Sequence, residues 1–472
     1  DVEEAYSALP SLLKSSLLPF QRDGVRFALK RKGRVLIGDE MGLGKTLQAL
    51  AVAAAYKREW PLLIICPSSL RLNWAQECSR WLEGMKEEPL EVQVVMKGSD
   101  AIKGVDVTIV SYDLATRMSD AIKASSFKVV IADESHYIKT DKALRTRACM
   151  PLLRQASRAI LLSGTPALSR PVELLSQLQC LQPKIFSSKR EFQRRYCNAK
   201  QGRWGLDTSG ASCLQELSIL LSSSVMIRRL KREVLVELPA KRRQKVFINV
   251  ANKDLKKIQS IMNRIDSVDM RPSSSPPAGH AGDEKEQVGE NGGERKRRRG
   301  SMLDSLITEA YLETGLAKLP EVCSYLADLI EGGCKFLVFA HHLQVLDGIE
   351  RFLLRSSVKY IRIDGSVPPA ARAERVKMFQ EEEEVRVGVL GMTAAGTGLT
   401  LTSAATVVFA ELYWTPGVMM QAEDRVHRIS QQLPVNIHYL LARGTADELV
   451  WSSIVSKVKI VSWALDGSQQ AV

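Results

Sequence analysis

The chain has 472 residues, 45% hydrophobic and 25% charged, with a formal net charge of +13. That is too long for one hydrophobic core and suits two or three globular domains of ordinary soluble composition. No apolar run reaches membrane-spanning length, DVEEAY at the start is no secretory signal, and the eight cysteines form no C-x-x-C pair, which sets aside a membrane span, a leader and a zinc module. Cysteines such as Cys66 in LLIICP read as reduced core thiols. A start at Asp1 rather than Met leads to the expectation of a fragment whose targeting end lies outside it. The positive charge fits either a basic surface or a polyanion partner.

In chain order, short runs rich in Val, Ile and Leu alternate with helical stretches. The first series is RVLIG (34–38), PLLIICP (61–67), VTIVSY (107–112), FKVVIADE (127–134) and RAILLSGT (158–165). Residues from about 180 to 265 read as mostly helical and basic. Composition then turns to Pro, Gly, Ser and charge, so disorder is expected over about 268–301. The run Arg295 to Arg299 reads equally as an import or nucleic-acid patch and as a solvated charge run. A second series follows: KFLVFAHH (335–342), YIRIDG (360–365), VRVGVLGM (385–392), ATVVFAEL (405–412) and VNIHYLLA (435–442). Neither series alternates polar with apolar positions, which is how parallel strands read when covered on both faces. The fold class expected is therefore α/β, with two doubly wound parallel-sheet lobes. The first lobe is placed at 1–230 with a helical protrusion from about 180, a linker or insertion at 231–310, and the second lobe at 311–472.

Strand RVLI runs into GDEMGLGKT (38–46) and then a helix, the context a phosphate-binding loop needs. Gly42 and Gly44 let the backbone curl so that N–H groups point inward, and the helix N-terminus favours negative charge. Lys45 would neutralise phosphates and the Thr46 hydroxyl would ligate Mg²⁺. Asp39, Glu40, Met41 and Leu43 complete the loop, with Asp39 standing where the generic pattern has glycine. On this segment alone, a glycine turn before a helix is the bland alternative. At the end of KVVIA, Asp133 is placed to hold Mg²⁺ and Glu134 to act as general base. In QAEDRVHRISQ, Arg425 and Arg428 are three apart and so are expected on one helix face, where they would stabilise charge developing on a transferring phosphoryl group.

The ordered set DEMGLGKT, DESH (133–136), SGTP (163–166), FLVFAHH, IRIDGS (361–366), TAAGTGLT (393–400) and QAEDRVHRI (421–429) resembles the Swi/Snf-type motor of helicase superfamily 2. PLLIICPSSLRLNW, MIRRLKREVL with ELPAK, VVFAELYW and VNIHYLLARGT resemble its annealing-helicase branch in particular. The resemblance covers nearly all of the chain outside the low-complexity stretch. It implies two RecA-like lobes sharing one ATP, with Mg²⁺, and an ATPase that moves along duplex DNA and rewinds or remodels branched DNA such as stalled replication forks. It also implies a nuclear protein and a monomeric motor, with replication-fork partners bound through regions absent from this chain. By position it assigns Gln21 to adenine recognition and Lys45, Thr46, Asp133, Glu134, Arg425 and Arg428 to hydrolysis. Ser163 and Thr165 would link hydrolysis to DNA grip, Thr393, Gly396 and Gly398 would lie between DNA and nucleotide, and Gln421 would face the nucleotide. Two departures stand out: Ser430 replaces the glycine common after RI, and residues 250–301 do not resemble the helical insert expected there.

DNA should be held by its phosphates, without sequence reading. Candidate contacts are Ser68, Ser69, Arg71, Ser163, Thr165, His341, His342 and Thr393, each equally readable as surface polarity. The paired histidines suit a phosphate or interlobe contact better than a metal, since no ligand cluster accompanies them. Trp414 reads as core or interlobe packing, and the stripe Arg228, Arg229, Lys231, Arg232 as a contact to DNA, to the second lobe, or to solvent. Competing functions are an RNA or single-strand unwinding helicase of the same superfamily, a chromatin remodeller, and a DNA-binding scaffold without turnover.

Overall fold

A computed structural model of the chain describes residues 2–83, 85, 89–202, 205–235, 237–269, 291–392 and 399–468. Helix α1 (Pro19–Lys30) leads into strand β1 (Arg34–Ile37), and helix α2 (Lys45–Ala55) follows it. Strands β2 (Leu62–Cys66), β3 (Val92–Val94), β4 (Val107–Ser111), β5 (Val129–Ala132) and β6 (Arg158–Leu162) come next. A small antiparallel hairpin, β7 (Lys200–Gly202) and β8 (Gly205–Asp207), precedes helix α3 (Leu214–Ser224) and strand β9 (Met226–Ile227). The first sheet has the order β3-β4-β2-β5-β6-β1-β9, and its pairings are parallel. Along each strand alternate residues enter opposite cores: Leu36, Leu63, Ile65 and Val130 on one face, Val35, Ile37, Leu62, Ile64 and Ile131 on the other. Burial on both faces is why the runs show no polar alternation.

The second sheet begins earlier than expected. Strand β10 (Lys241–Ile248) pairs in parallel with the last strand of that sheet, although it lies inside the segment read as a linker. Its sequence KRRQKVFI reads as charge rather than as a strand because it is an edge strand with a solvated face. Helices α4 (Asn252–Asp269) and α5 (Asn291–Glu331) follow and pack together through Ile261, Ile265, Leu306 and Ala310. The stretch expected to be disordered is thus helical at both ends, at 268–269 and 291–301, where each helix prolongs a packed segment; its remainder, 270–290, lies outside the described residues. Strand β11 (Phe336–Ala340), helix α6 (Leu343–Arg355) and strands β12 (Tyr360–Ile363), β13 (Val387–Gly391) and β14 (Thr406–Phe409) come next. Helix α7 (Pro416–Glu423), strand β15 (Val435–Ala442) and helix α8 (Ala446–Asp466) close the lobe. The order is β10-β15-β14-β11-β13-β12, again parallel.

Helix α8 joins the two cores. Val450 and Ile454 near its start lie in the second core, while Ala464 and Leu465 near its end lie in the first. Burial of the Leu465 side chain in the far lobe contributes about 2 kcal/mol to holding the lobes together. Asp466 adds an ion pair to Arg228 at 2.5 Å, and Arg228 also donates to the carbonyls of Gly38 (2.7 Å) and Gly164 (3.0 Å). Among the described residues no helix is long and apolar enough to cross a membrane.

Candidate nucleotide site between the two lobes

The loop between β1 and α2 is built by its glycines. Gly42 (φ 85°) and Gly44 (φ 71°) sit in the left-handed region, which side chains disfavour. A β-carbon on Gly44 would fall 2.3 Å from Nε2 of Gln21. That amide donates to the Leu43 carbonyl (3.0 Å), while Gln21 Oε1 accepts from the Leu18 amide (2.9 Å), so Gln21 is fastened to the loop from below. Met41 and Leu43 are buried and anchor the loop. Lys45 opens α2, and its Nζ donates to the carbonyls of Asp39 (2.9 Å) and Glu40 (3.3 Å). Burial lowers the Lys45 pKa, against the raising pull of Glu134, Asp39 and Asp133. Thr46 is the half-buried second residue of α2. Asp39, at the position of the generic glycine, turns its carboxylate away from the loop. It accepts from Arg229 Nε (2.9 Å) and Gln48 Nε2 (2.9 Å) and is fully buried. Arg229 is therefore committed to the loop and is not a free surface cation.

Asp133 stands at the carboxyl end of β5. Its carboxylate accepts from Trp74 Nε1 (2.9 Å) and the Glu134 amide (2.9 Å). Burial, with the adjacent Glu134 charge, raises its pKa to about 6. Glu134 has φ 49°, a left-handed turn that redirects its side chain. Burial favours its neutral form, but His136, Lys45 and Arg425 outweigh that, so Glu134 is the carboxylate that stays ionised. His136 Nδ1 lies 3.2 Å from Glu134 Oε2 and 3.1 Å from Ser163 Oγ.

The arginines arrive from the second lobe. They do not share a helix face: α7 ends at Glu423, and Arg425 and Arg428 lie in the turns beyond it. Other donors take the carbonyls a helix would have used: Leu401 N, from a distant loop, donates to Arg425 O (3.0 Å), and the nearby side chains Gln431 Nε2 and Arg428 Nε donate to Val426 O (3.2 Å) and Asp424 O (3.0 Å). Arg425 is 1% exposed; Nη1 makes one long bond to the Leu399 carbonyl (3.4 Å), and Nε and Nη2 have no partner among the described residues. Burial, with the nearby Arg428 charge, pushes its pKa down to about 9 although Glu134 and Asp424 oppose this. Arg428 donates to Thr400 Oγ1 at 2.6 Å. A β-carbon on Gly42 would lie 3.3 Å from Arg428 Cγ, so the glycine loop of one lobe and the arginine turn of the other are in contact.

Residues 20–280 match the SNF2-related domain, and residues 317–430 match the helicase conserved C-terminal domain. The chain belongs to the SNF2-related family. It is 46% identical over 459 residues to SWI/SNF-related matrix-associated actin-dependent regulator of chromatin subfamily A-like protein 1 of Xenopus tropicalis, covering 97% of this chain and 46% of that protein. It is 42% identical over 479 residues to the DNA annealing helicase and endonuclease ZRANB3 of Homo sapiens, covering 98% of this chain and 42% of that protein. The chain thus spans less than half the length of these relatives. The Sulfolobus solfataricus SWI2/SNF2 ATPase core in complex with dsDNA is a similar solved structure at 22% identity, covering 96% of this chain and 95% of that one, with a TM-score of 0.42.

The positions expected to meet DNA fare differently in this SNF2-related chain. Ser163 and Thr165 are buried: Ser163 Oγ accepts from the Thr165 amide (3.2 Å) and meets His136, and Thr165 Oγ1 accepts from Gln421 Nε2 (3.2 Å). Both hydroxyls thus have protein partners, and Gln421 is a lobe-to-lobe contact. Arg71 spends its guanidinium on the carbonyls of Val95 (2.5 Å) and Ser68 (3.1 Å), beside a half-buried Ser69. His341 and His342 are held by Glu411, whose Oε2 accepts both amides (2.8 and 2.9 Å) and whose Oε1 meets His342 Nδ1 (2.6 Å). Both rings pack on Tyr311. Trp414 packs on Tyr311 as well, within the second core rather than between the lobes. Thr393, Gly396 and Gly398 lie outside the described residues. Ser430 is exposed and has no left-handed φ, so its turn does not require the glycine common in the family.

Proposed function

We propose that this chain is the motor of an ATP-dependent DNA translocase of the annealing-helicase type, which rewinds or remodels branched duplex DNA such as stalled forks in the nucleus. The observation that carries the reading is the meeting of three groups at the lobe boundary. The glycine loop with Lys45, the ionised Glu134, and the buried, under-partnered Arg425 beside Arg428 supply what phosphoryl transfer to water requires.

In this mechanism Lys45 exchanges its loop carbonyls for phosphate oxygens, and Glu134 orients the attacking water and takes its proton. Arg425 Nε and Nη2, without a partner among the described residues, answer charge that develops during transfer. Mg²⁺ fits the residues present: Asp133 is a buried carboxylate whose pKa stays raised even with the Lys45 charge acting on it, and Thr46 lies at the start of α2. Those two would hold the cation, which would neutralise phosphate charge when bound. Because the arginines belong to the other lobe, turnover depends on closure, and opening and closing shift one lobe's phosphate grip along the duplex. The motor acts as a monomer.

Phosphate release measured with duplex, forked and single-stranded DNA and with RNA tests the reading. Stimulation by duplex and forked DNA over single strands and RNA is expected, and Glu134→Gln should abolish release in every case. Equal release by the variant, or stimulation by RNA alone, would overturn it.

A further inference from the structure

Lys231 sits between the glycine loop and the arginine turn but belongs to neither sheet. It follows β9 and precedes β10, on the segment that crosses from one lobe to the other. It is 2% exposed. Its Nζ donates to Asp424 Oδ1 (2.9 Å) and to the His427 carbonyl (2.5 Å) and lies 3.9 Å from Glu40 Oε1. Its amide donates to Glu40 Oε2 at 2.7 Å. Its Cε would lie 3.5 Å from a β-carbon on Gly42. One buried ammonium therefore registers the position of the glycine loop through Glu40 and of the arginine turn through Asp424 and His427.

These two attachment points bracket Arg425. The carbonyl of Asp424 also receives Arg428 Nε, so both guanidiniums hang from the backbone that Lys231 grips. A lysine is suited to this: it is a point charge with three donors, able to serve a carboxylate and a carbonyl together. Among the described residues the Arg425 guanidinium makes one bond, and that bond is long. Lys241 gives Asp424 a second cation at 3.2 Å and also pairs with Glu423 at 3.1 Å, whereas the Lys231 stem lies against Gly42.

We infer that Lys231, with Asp424 as its partner, is a positioning residue for hydrolysis that sets the Arg425–Arg428 turn over the glycine loop. The inference rests on the reading of those arginines as transition-state groups. Lys231 touches no reacting atom, so its loss should spare binding in the ground state and slow the chemical step. Misplacing a stabilising group by about an ångström costs roughly 10- to 100-fold.

The test uses Lys231→Met and Asp424→Asn in the full chain, with ATP hydrolysis on duplex DNA and calorimetric titration of ADP. Both variants should lose about 10- to 100-fold in kcat while KM for ATP and ADP affinity stay within about twofold. Lys241 still pairs with Asp424 in Lys231→Met, so folding should be retained; should that variant lose ADP binding, Asp424→Asn decides. The inference is overturned if kcat is unchanged in either folded variant, if KM rises while kcat is kept, or if both variants lose ADP binding, which makes the pair a folding contact. A parent chain that releases no phosphate on DNA defeats the hydrolysis reading instead, and is told apart from these outcomes by its own rate.

Discussion

Replacing Arg425 with methionine should stabilise the nucleotide-free protein while crippling turnover. The guanidinium is 1% exposed and, among the described residues, makes one bond of 3.4 Å and leaves Nε and Nη2 without partners. Burial, with Arg428 close by, pushes its pKa down to about 9. Since that value is below the unfolded one, the charged form opposes folding at every pH below about 9, and the opposition fades as pH rises above it. A shift of this size corresponds to roughly 4–5 kcal/mol. Relaxation and water entry reduce that, and a recovered stability of about 2 kcal/mol is a sober expectation. For a protein of 472 residues the melting temperature should then rise by roughly 2 °C. A transition-state arginine contributes about 10³-fold or more to kcat. Arg425→Met is therefore expected to melt higher by calorimetry and to hydrolyse ATP on duplex DNA at about a thousandth of the parent rate. A variant that melts lower, or that keeps more than about a tenth of the parent rate, would refute the view that stability is given up here for charge stabilisation.

Lys45→Ala should abolish phosphate release and leave duplex affinity within about threefold, read by anisotropy; loss of DNA binding together with turnover would show that Lys45 is not a nucleotide residue. Glu423 offers a pH test. Burial raises its carboxyl, but Arg243 and Lys241 bring it down to about 2, below the unfolded value of 4.5. Its stabilisation is thus complete above pH 4.5 and lost as pH falls toward 2, so Glu423→Gln should flatten stability across that window in urea titrations. An unchanged slope would remove Glu423 from the acid response. Duplex affinity should fall linearly on log–log axes as salt rises, by about 0.9 per phosphate contacted, and a flat response would exclude a phosphate footprint.

How much of this was legible depends on sequence distance. The strands of both sheets are readable because double burial leaves unbroken Val, Ile and Leu runs. The glycine loop is readable because Gly42 and Gly44 supply left-handed backbone next to Lys45. β10 was not, since an edge strand with a solvated face resembles a charge run. The helix carrying the arginines was extended too far, because spacing alone cannot show that Leu401, Gln431 and Lys231 take over the backbone carbonyls. Burial of Ser163 and Thr165 is not legible, because a hydroxyl in a loop motif gives no sign that His136 and, for Thr165, Gln421 of the other lobe will pack on it. The basic stripe 228–232 is ambiguous in sequence, and tertiary contacts claim three of its cations: Arg228 on Asp466, Arg229 on Asp39 and Lys231 on Asp424, while Arg232 is exposed.

What the sequence determined by itself is local: which segments are buried strands, where the chain curls around glycine, and which acids and bases flank those turns. These follow from backbone sterics and hydrophobic periodicity over a few residues. Only the tertiary structure decided that Gly42 touches Arg428, that Arg425 is buried with spare donors, and that Lys231 ties loop to turn. Those contacts join groups nearly two hundred residues or more apart in the chain. Their partners are chosen by how two cores dock, which no short stretch encodes.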